Sequence, residues 1–163
     1  MSAGPGGGPG ELRFVLSDPE LPPASELLAA MRTELIGAYD NASRLDNPPL
    51  LPAELRAPEG AYYVGYEGPG AVAGGGLRRL GDAVAEIKRM YVRPEARSRG
   101  VAAALLRTLE AAAMAMGYTH TRLDTGPKQV TAQRLYRAAG YAEIAPYNDN
   151  PFACFWGEKR LTS

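Results

Sequence analysis

Cysteine and histidine are almost absent from this sequence. Among its 163 residues there is one cysteine, Cys154, and one histidine, His120. A single cysteine cannot form an intrachain disulfide, and structural zinc sites take four cysteine or histidine ligands. The sequence therefore excludes an internal disulfide, and we expect no metal site.

Excess charge and long apolar runs are also missing. The chain has 18 Lys and Arg against 18 Asp and Glu, for a formal net charge of +0. Nucleic-acid-binding domains usually carry a clear basic excess, so we expect no nucleic-acid partner. No run of 18 apolar residues is present, and the amino terminus lacks the basic start and apolar core of a signal peptide. We therefore expect no membrane partner and a cytoplasmic location.

Glycine and proline are concentrated at the amino terminus. Residues 1–10 (MSAGPGGGPG) predict a disordered tail. They do not form a nucleotide phosphate loop, because no strand precedes them and no Lys-Ser or Lys-Thr follows. The remaining residues, 11–163, are of a length typical of a single domain with one core.

The rest of the sequence predicts alternating strands and helices. From apolar alternation and turn residues, strands are expected at 12–17, 61–66, 71–80, 83–92, 119–125, 141–147 and 152–161. Helices are expected from Pro22 onward, at 98–117 and at 130–139, with an irregular segment at 40–60. This order predicts an α/β (α+β) domain with flanking helices and a central sheet of about seven strands, mixed and mostly antiparallel. The exposed strand 152–161 makes a homodimer a reasonable expectation.

The segment from Glu86 to Leu106 predicts a strand, a short basic turn and a helix. The first turn of this helix has no acidic side chain, so its free N–H groups and positive dipole end favour an anionic ligand such as a phosphate. Gly100 permits close approach of the ligand to the backbone, and Arg97 and Arg99 add positive charge. Taken alone, these residues also fit an ordinary turn between a strand and a helix.

Three stretches of the sequence resemble the GNAT superfamily of acetyl-CoA-dependent N-acetyltransferases. Arg97, Gly100 and Ala102 match its Gln/Arg-x-x-Gly-x-Gly/Ala signature. Residues 135–141 (LYRAAGY) are similar to its Leu-Tyr-x-x-x-Gly-Phe/Tyr signature, and residues 86–94 resemble its fourth strand. The resemblance covers residues 11–161. It implies a GNAT fold that is splayed between the fourth and fifth strands, with acetyl-CoA as the cofactor.

The resemblance also implies where the cofactor binds. The pantetheine arm would pair with the backbone of the fourth strand, and the diphosphate would lie on the turn that follows. Gln129 stands where the family often has an asparagine, so the sequence departs from the family pattern there. The cofactor-binding residues implied in this way are Met90, Tyr91, Val92, Arg97, Ser98, Arg99, Gly100, Val101, Ala102, Ala103, Gln129 and Tyr136.

Two residues stand at catalytic positions of the family. Tyr136 matches the tyrosine that protonates the departing thiolate; its other interpretation is packing or positioning of the cofactor. Glu86 matches the fourth-strand glutamate that is the general base in some members; its other interpretation is a surface ion pair with Lys88. A base is needed because a lysine-like ammonium has a pKa of about 10.4. The sequence leaves open whether Glu86 acts directly or through water.

Further residues are expected near the amine acceptor. The resemblance places Tyr91, Asp124, Tyr147, Asn148 and Asn150 at strand ends that border the acceptor pocket. Residues 148–151 equally fit plain turn chemistry. The loop carboxylates Asp40 and Asp46 either attract the amine or are simply solvated. The strand arginines Arg78 and Arg79 either bind an acceptor carboxylate or, as is usual on a strand face, are exposed. Cys154 is expected in the core.

We therefore expect an N-acetyltransferase that moves an acetyl group from acetyl-CoA to a primary amine of a small molecule. Direct attack in a ternary complex is favoured, because no residue stands out as an acyl-carrying nucleophile. One alternative is a protein or peptide N-acetyltransferase, which needs an open groove above the cofactor. The other is a non-catalytic regulatory module that binds CoA.

Overall fold

One sheet with helices on both faces organises the chain. The computed structural model describes residues 11–38 and 50–162, so the predicted tail at 1–10, Asp40 and Asp46 lie outside the described residues. The strands in these ranges are β1 Leu12–Leu16, β2 Ala61–Glu67, β3 Gly70–Gly81, β4 Val84–Val92, β5 His120–Thr125, β6 Ala142–Glu143 and β7 Phe155–Arg160. The helices are α1 Ala24–Ala38, α2 Val101–Ala115 and α3 Val130–Ala138, with short 3-10 helices at Pro52–Leu55 and Pro94–Ala96.

The strands form a seven-stranded sheet in the order β1-β2-β3-β4-β5-β7-β6. Every neighbouring pair is antiparallel except β4 and β5, which are parallel. β4 and β5 pair only from Val84–His120 to Glu86–Arg122 and then separate. The predicted mixed sheet and its splay between the fourth and fifth strands are therefore confirmed.

The two faces of the sheet have separate apolar cores. Leu105 and Leu109 of α2 pack with Leu77, Ile87 and Leu123 on one face, which α3 also covers. On the other face, Ala24 and Leu27 of α1 form a second cluster with Leu55 of the 3-10 helix and with Tyr62 and Val64 of β2. The site described below lies where the splay opens between these two faces.

A β-bulge in β4 determines which side chains face the splay. Between the pairs Gly74–Tyr91 and Gly76–Lys88, β4 has one residue more than β3. Arg89 takes the positive φ of 61° that this bulge requires. As a result, Met90 faces α2 and lies close to Gly75 of β3. Arg89 faces α1 and lies near Leu28 and Leu55.

Three predicted boundaries are wrong. The helix predicted from residue 98 begins at Val101, because Ser98 and Gly100 have left-handed φ values of 64° and 79°. The strand predicted at 141–147 is limited to β6, because the chain then turns over the sheet face. The strand predicted from 152 begins at Phe155.

The expectation of an exposed strand at 152–161 is also wrong. β7 pairs with β5 along its whole length and with β6 through Gly157 and Glu158. The argument for a homodimer at this strand is therefore lost, and the homodimer itself remains an untested prediction.

Two structural findings concern membranes and metals. None of the helices within 11–38 and 50–162 combines the length and the apolar character that a membrane span needs. In the same ranges, no three His, Cys, Asp or Glu side chains are grouped so as to hold a metal ion.

Candidate functional site

The turn between β4 and α2 exposes backbone N–H groups. Gly100 is the N-cap of α2 in a left-handed conformation, and no side chain caps the helix. The first turn of α2 contains no acidic residue, and an added Cβ on Gly100 would meet nothing within 4 Å. The first turn therefore has no side-chain cap, and the space beside Gly100 is open, as an anion site at a helix N-terminus requires.

The two arginines of this turn are paired with carboxylates. Arg97 donates from Nη2 to both carboxylate oxygens of Glu34 of α1, at 2.7 and 2.9 Å, and from Nε to the carbonyl of Val92. Arg99 forms a bidentate pair with Glu67 at 2.6 and 3.0 Å. Such exposed pairs contribute about 0–1 kcal/mol each, so an arriving diphosphate can displace them.

Tyr136 lies in a small cleft at the opening of the splay. It is buried, and its hydroxyl lies 3.9 Å from the sulfur of Met90 on β4. Burial raises the pKa of Tyr136 to about 12, and the negative charge of Asp124 acts in the same direction. The phenol is therefore neutral at physiological pH and retains a proton to donate.

The cleft is lined by residues from both sides of the splay and from α1. Gln129 lines it beside α3, where its amide oxygen accepts hydrogen bonds from the hydroxyl of Thr125 and the N–H of Gly126. The volume of the cleft is about 80 Å³. The lining residues are Met31, Leu35, Ile87, Lys88, Arg89, Met90, Asp124, Thr125, Gly126, Gln129, Tyr136, Asn150 and Phe152.

Glu86 is completely buried and both of its carboxylate oxygens accept hydrogen bonds. Arg78 of β3 donates Nε to Oε1 at 2.8 Å, and the hydroxyl of Tyr147 donates to Oε2 at 2.7 Å. The expected surface pair with Lys88 is therefore wrong, and so is the expectation that Arg78 is exposed. Burial and then the charge of Glu86 raise the pKa of Tyr147 well above its ordinary value.

Asp124 is the centre of a second polar cluster. Its Oδ2 accepts hydrogen bonds from the side-chain amides of Asn148 at 2.6 Å and Asn150 at 3.4 Å. Trp156 in turn donates its indole N–H to the side-chain oxygen of Asn148 at 2.8 Å. On its other side, Asp124 Oδ1 lies 4.0 Å from Lys88 Nζ. These bonds hold the 148–150 turn against the open end of β5.

With this geometry established, comparison with known proteins decides the family. Residues 26–141 match the model of the Acetyltransferase (GNAT) family, which covers more than two thirds of the chain. The chain belongs to the GNAT family. The family resemblance and the fold class predicted from the sequence are confirmed.

Individual relatives support the same assignment. The chain is 38% identical over 73 residues to the IAA acetyltransferase of Azospirillum brasilense, an alignment that covers 43% of this chain and 48% of that protein. The chain thus spans about half the length of this curated relative. A candidate acyl-CoA N-acyltransferase structure from Klebsiella pneumoniae has a TM-score of 0.73 at 26% identity, covering 93% of this chain and 98% of the other.

The comparisons also bear on the cofactor. A GNAT acetyltransferase structure from Elizabethkingia anophelis contains bound acetyl-CoA; it has a TM-score of 0.65 at 17% identity and covers 92% of this chain and 98% of that one. That likeness shows the fold alone. Because GNAT acetyltransferases use acetyl-CoA, membership of the family confirms the cofactor class that the sequence predicted.

The GNAT cleft brings together most, but not all, of the residues predicted for the site. Met90, Asp124, Gln129, Tyr136 and Asn150 line the cleft. Residues outside the lining join it by hydrogen bonds or lie on the turn that precedes α2; these are Glu86, Tyr147, Asn148 and the residues from Arg97 to Ala103.

Two predicted positions differ from expectation. Tyr91 is not part of the cleft lining; its ring lies under the guanidinium of Arg97 at 5.7 Å, on the side of α1. Cys154, expected in the core, is exposed and accepts a weak hydrogen bond from Gln133. Its neighbour Phe155 takes the buried position of β7 instead.

The sequence did not identify eight of the described lining residues of the GNAT cleft as functional, among them Met31, Leu35 and Lys88. Met31 and Leu35 belong to the apolar face of the helix predicted from Pro22. Apolar periodicity predicts a helix, but it does not predict which surface that face packs against. Lys88 was considered only as a partner of Glu86. The bulge that follows Lys88 leaves it facing the open end of β5, where Asp124 lies.

We expect Gly100→Leu to weaken CoA binding. A side chain there forces an L-residue into the left-handed region, at about 1–2 kcal/mol, and obstructs the approach of the diphosphate to the amides. Since charge-assisted hydrogen bonds contribute about 1.5–3 kcal/mol each, the dissociation constant measured by calorimetry should rise about 10- to 100-fold.

Gly117→Leu is the matched control for this change. Gly117 has a φ of 97°, no atom within 4 Å of an added Cβ, and a position at the far end of α2. It should lose similar stability and bind CoA as the wild type does. Equal CoA affinity of the two variants would contradict the assignment of the turn.

Proposed function

We propose that this protein transfers the acetyl group of acetyl-CoA to a primary amine of a small molecule, by direct attack in a ternary complex. The observation that carries the proposal is the buried, neutral phenol of Tyr136 beside Met90 at the opening of the splay. If the diphosphate binds at the turn after β4 and the pantetheine arm follows the backbone from Met90 to Val92, the thioester sulfur would lie beside this phenol.

Tyr136 acts on the departing sulfur. As the amine nitrogen bonds to the acetyl carbon and the C–S bond breaks, negative charge develops on the sulfur. The phenol donates a hydrogen bond to this sulfur and supplies the proton of the CoA thiol. Because a pKa of about 12 disfavours complete proton transfer before the bond breaks, most of the effect is stabilisation of the developing charge.

Glu86 receives the proton of the ammonium through Tyr147. Glu86 has no exposed surface, so a substrate cannot contact it directly, whereas Tyr147 is partly exposed and donates to Oε2. The ammonium gives one proton to the oxygen of Tyr147 as the phenol proton moves to Glu86, and this proton later leaves to solvent. The amine nitrogen loses a second proton as the C–S bond breaks. This proton makes up for the one that Tyr136 gives to sulfur, so that the net products are the amide, the CoA thiol and one proton released to solvent.

Direct attack is favoured over an acyl-enzyme intermediate. The one hydroxyl or thiol nucleophile among the described lining residues other than Tyr136 is Thr125, and its hydroxyl donates to Gln129. The exposed Cys154 has no histidine near it. Nothing in the described cleft therefore offers an activated group to carry the acetyl.

The test is release of CoA thiol from acetyl-CoA in the presence of a panel of small amines, α-amino acids and peptides. Turnover with small amines supports the proposal. Turnover with peptides alone would support a peptide N-acetyltransferase. Tight CoA binding with no turnover on any acceptor would support a non-catalytic CoA-binding module.

A further inference from the structure

In the cleft beside Tyr136, the cation of Lys88 and the anion of Asp124 face each other without a hydrogen bond, and Arg89 is a second cation in the lining. Lys88 Nζ and Asp124 Oδ1 are 4.0 Å apart, which is beyond hydrogen-bond distance. Their side chains are only 14% and 7% exposed. Asp124 has committed Oδ2 to two amides, and Lys88 has no other charged partner among the residues that the structure describes.

Such a pair selects a ligand that carries both charges. Two largely buried charges that are not hydrogen-bonded remain poorly compensated, so a bound group that supplies the missing contacts is favoured. A simple ammonium would satisfy Asp124 but would lie close to the positive charge of Lys88. An ammonium and a carboxylate on the same carbon satisfy both side chains at once.

A larger apolar cavity adjoins the cleft. It lies between α1 and the 3-10 helix Pro52–Leu55, has a volume of about 260 Å³, and shares Met31, Leu35 and Arg89 with the cleft. Its described wall is mainly apolar, with Leu28, Leu35, Leu50 and Leu55 among the lining residues, and it also includes Arg32 and Arg89. A space of this size accepts a bulky aliphatic or aromatic side chain.

We propose that the acceptor is a zwitterionic α-amino acid with a bulky apolar side chain. Its ammonium binds Asp124, its carboxylate binds Lys88, and its side chain passes Met31 and Leu35 into the adjoining cavity. This inference rests on the proposed function, because it names the acceptor of that same transfer. It assigns to Lys88 the selection of a carboxylate.

The test compares phenylalanine, phenethylamine and alanine as ligands. Phenethylamine lacks only the carboxylate, and alanine lacks only the ring. Thiol release gives kcat/KM, and calorimetry on the CoA-loaded protein gives ligand affinity without turnover. We expect phenylalanine to exceed phenethylamine by about 10- to 100-fold, as one charge-assisted contact predicts, and alanine by at least about 10-fold.

Lys88→Met should bring the phenylalanine-to-phenethylamine ratio to within about 3-fold of unity, because the contact to the carboxylate is lost. Arg107→Met, which removes one positive charge from an exposed position of α2, is the control and should keep the wild-type ratio. A ratio near unity in the wild type, or a ratio that survives Lys88→Met, overturns the proposal.

The assays separate this inference from the proposed function. Acetylation of other amines while phenylalanine neither binds nor reacts would refute the amino acid and leave the acetyl transfer intact. Selective binding of phenylalanine to the CoA-loaded protein without any thiol release would support the ligand class and refute the transfer.

Discussion

Tyr136→Phe is expected to lower kcat by about 10²- to 10⁴-fold, the usual contribution of a positioned acid, while CoA affinity changes little. The substitution removes one oxygen whose described partner is the weak contact to Met90. Folding should therefore be preserved and CoA should still bind through the backbone. Thiol-release kinetics and calorimetric titration with CoA measure the two quantities separately.

Tyr118→Phe is the control for the loss of a buried phenol. Tyr118 is buried, donates a 2.6 Å hydrogen bond to the carbonyl of Glu59, and lies outside the cleft. Its loss should cost about 1 kcal/mol of stability and leave kcat unchanged. Because the pKa of Tyr136 is raised to about 12, the wild type should show no loss of rate from its ionisation below about pH 10. A Tyr136→Phe enzyme with wild-type kcat would contradict the assigned role.

Glu86→Gln and Tyr147→Phe are each expected to lower kcat/KM by about 10²- to 10³-fold. Both changes interrupt the same path, on which the amine proton reaches Glu86 through the phenol of Tyr147. Residues that act as one unit are not additive, so the double variant should be little slower than either single variant. Fully multiplied losses in the double variant would show that the two residues act independently.

Glu86→Gln should also lower the stability of the protein, because Glu86 forms an ion pair with Arg78. This loss of stability has to be measured separately from the loss of kcat/KM. Removing one member of a buried ion pair can cost about 3–5 kcal/mol of unfolding free energy. Glu54→Gln is the control, since Glu54 is the other carboxylate partner of Arg78, at 3.1 Å, and does not touch Tyr147. It should shift the denaturant midpoint and leave kcat/KM close to that of the wild type.

The elements of the fold were predictable because each has a strong local signal. The turn residues 67–70 (EGPG) separate the first two of the three strands from Ala61 to Val92, and glycines at 117 and 140 follow the ends of α2 and α3. The turn after β4 was predicted from its own residues, whereas the splay came from the resemblance to GNAT proteins, since no local pattern shows how two distant strands pair. The predicted start of α2 was wrong because the left-handed conformation of Ser98 has no sequence signal.

The buried partners of Glu86 were not predictable from the sequence. The register of β3 on β4 shifts at two irregularities, between Gly74 and Gly76 and between Arg79 and Gly81, so counting residues does not place Arg78 opposite Glu86. Tyr147 was predicted at the end of a strand. The chain leaves β6 after Glu143 instead and crosses the sheet face, which is how the phenol reaches Glu86.

A crystal structure with acetyl-CoA bound tests most directly whether the turn after β4 and Tyr136 hold the two ends of the cofactor. The diphosphate should accept hydrogen bonds from backbone amides between Ser98 and Ala103, and the thioester sulfur should lie within hydrogen-bond reach of the Tyr136 hydroxyl. A diphosphate bound away from that turn, or a thioester directed away from Tyr136, would contradict the account.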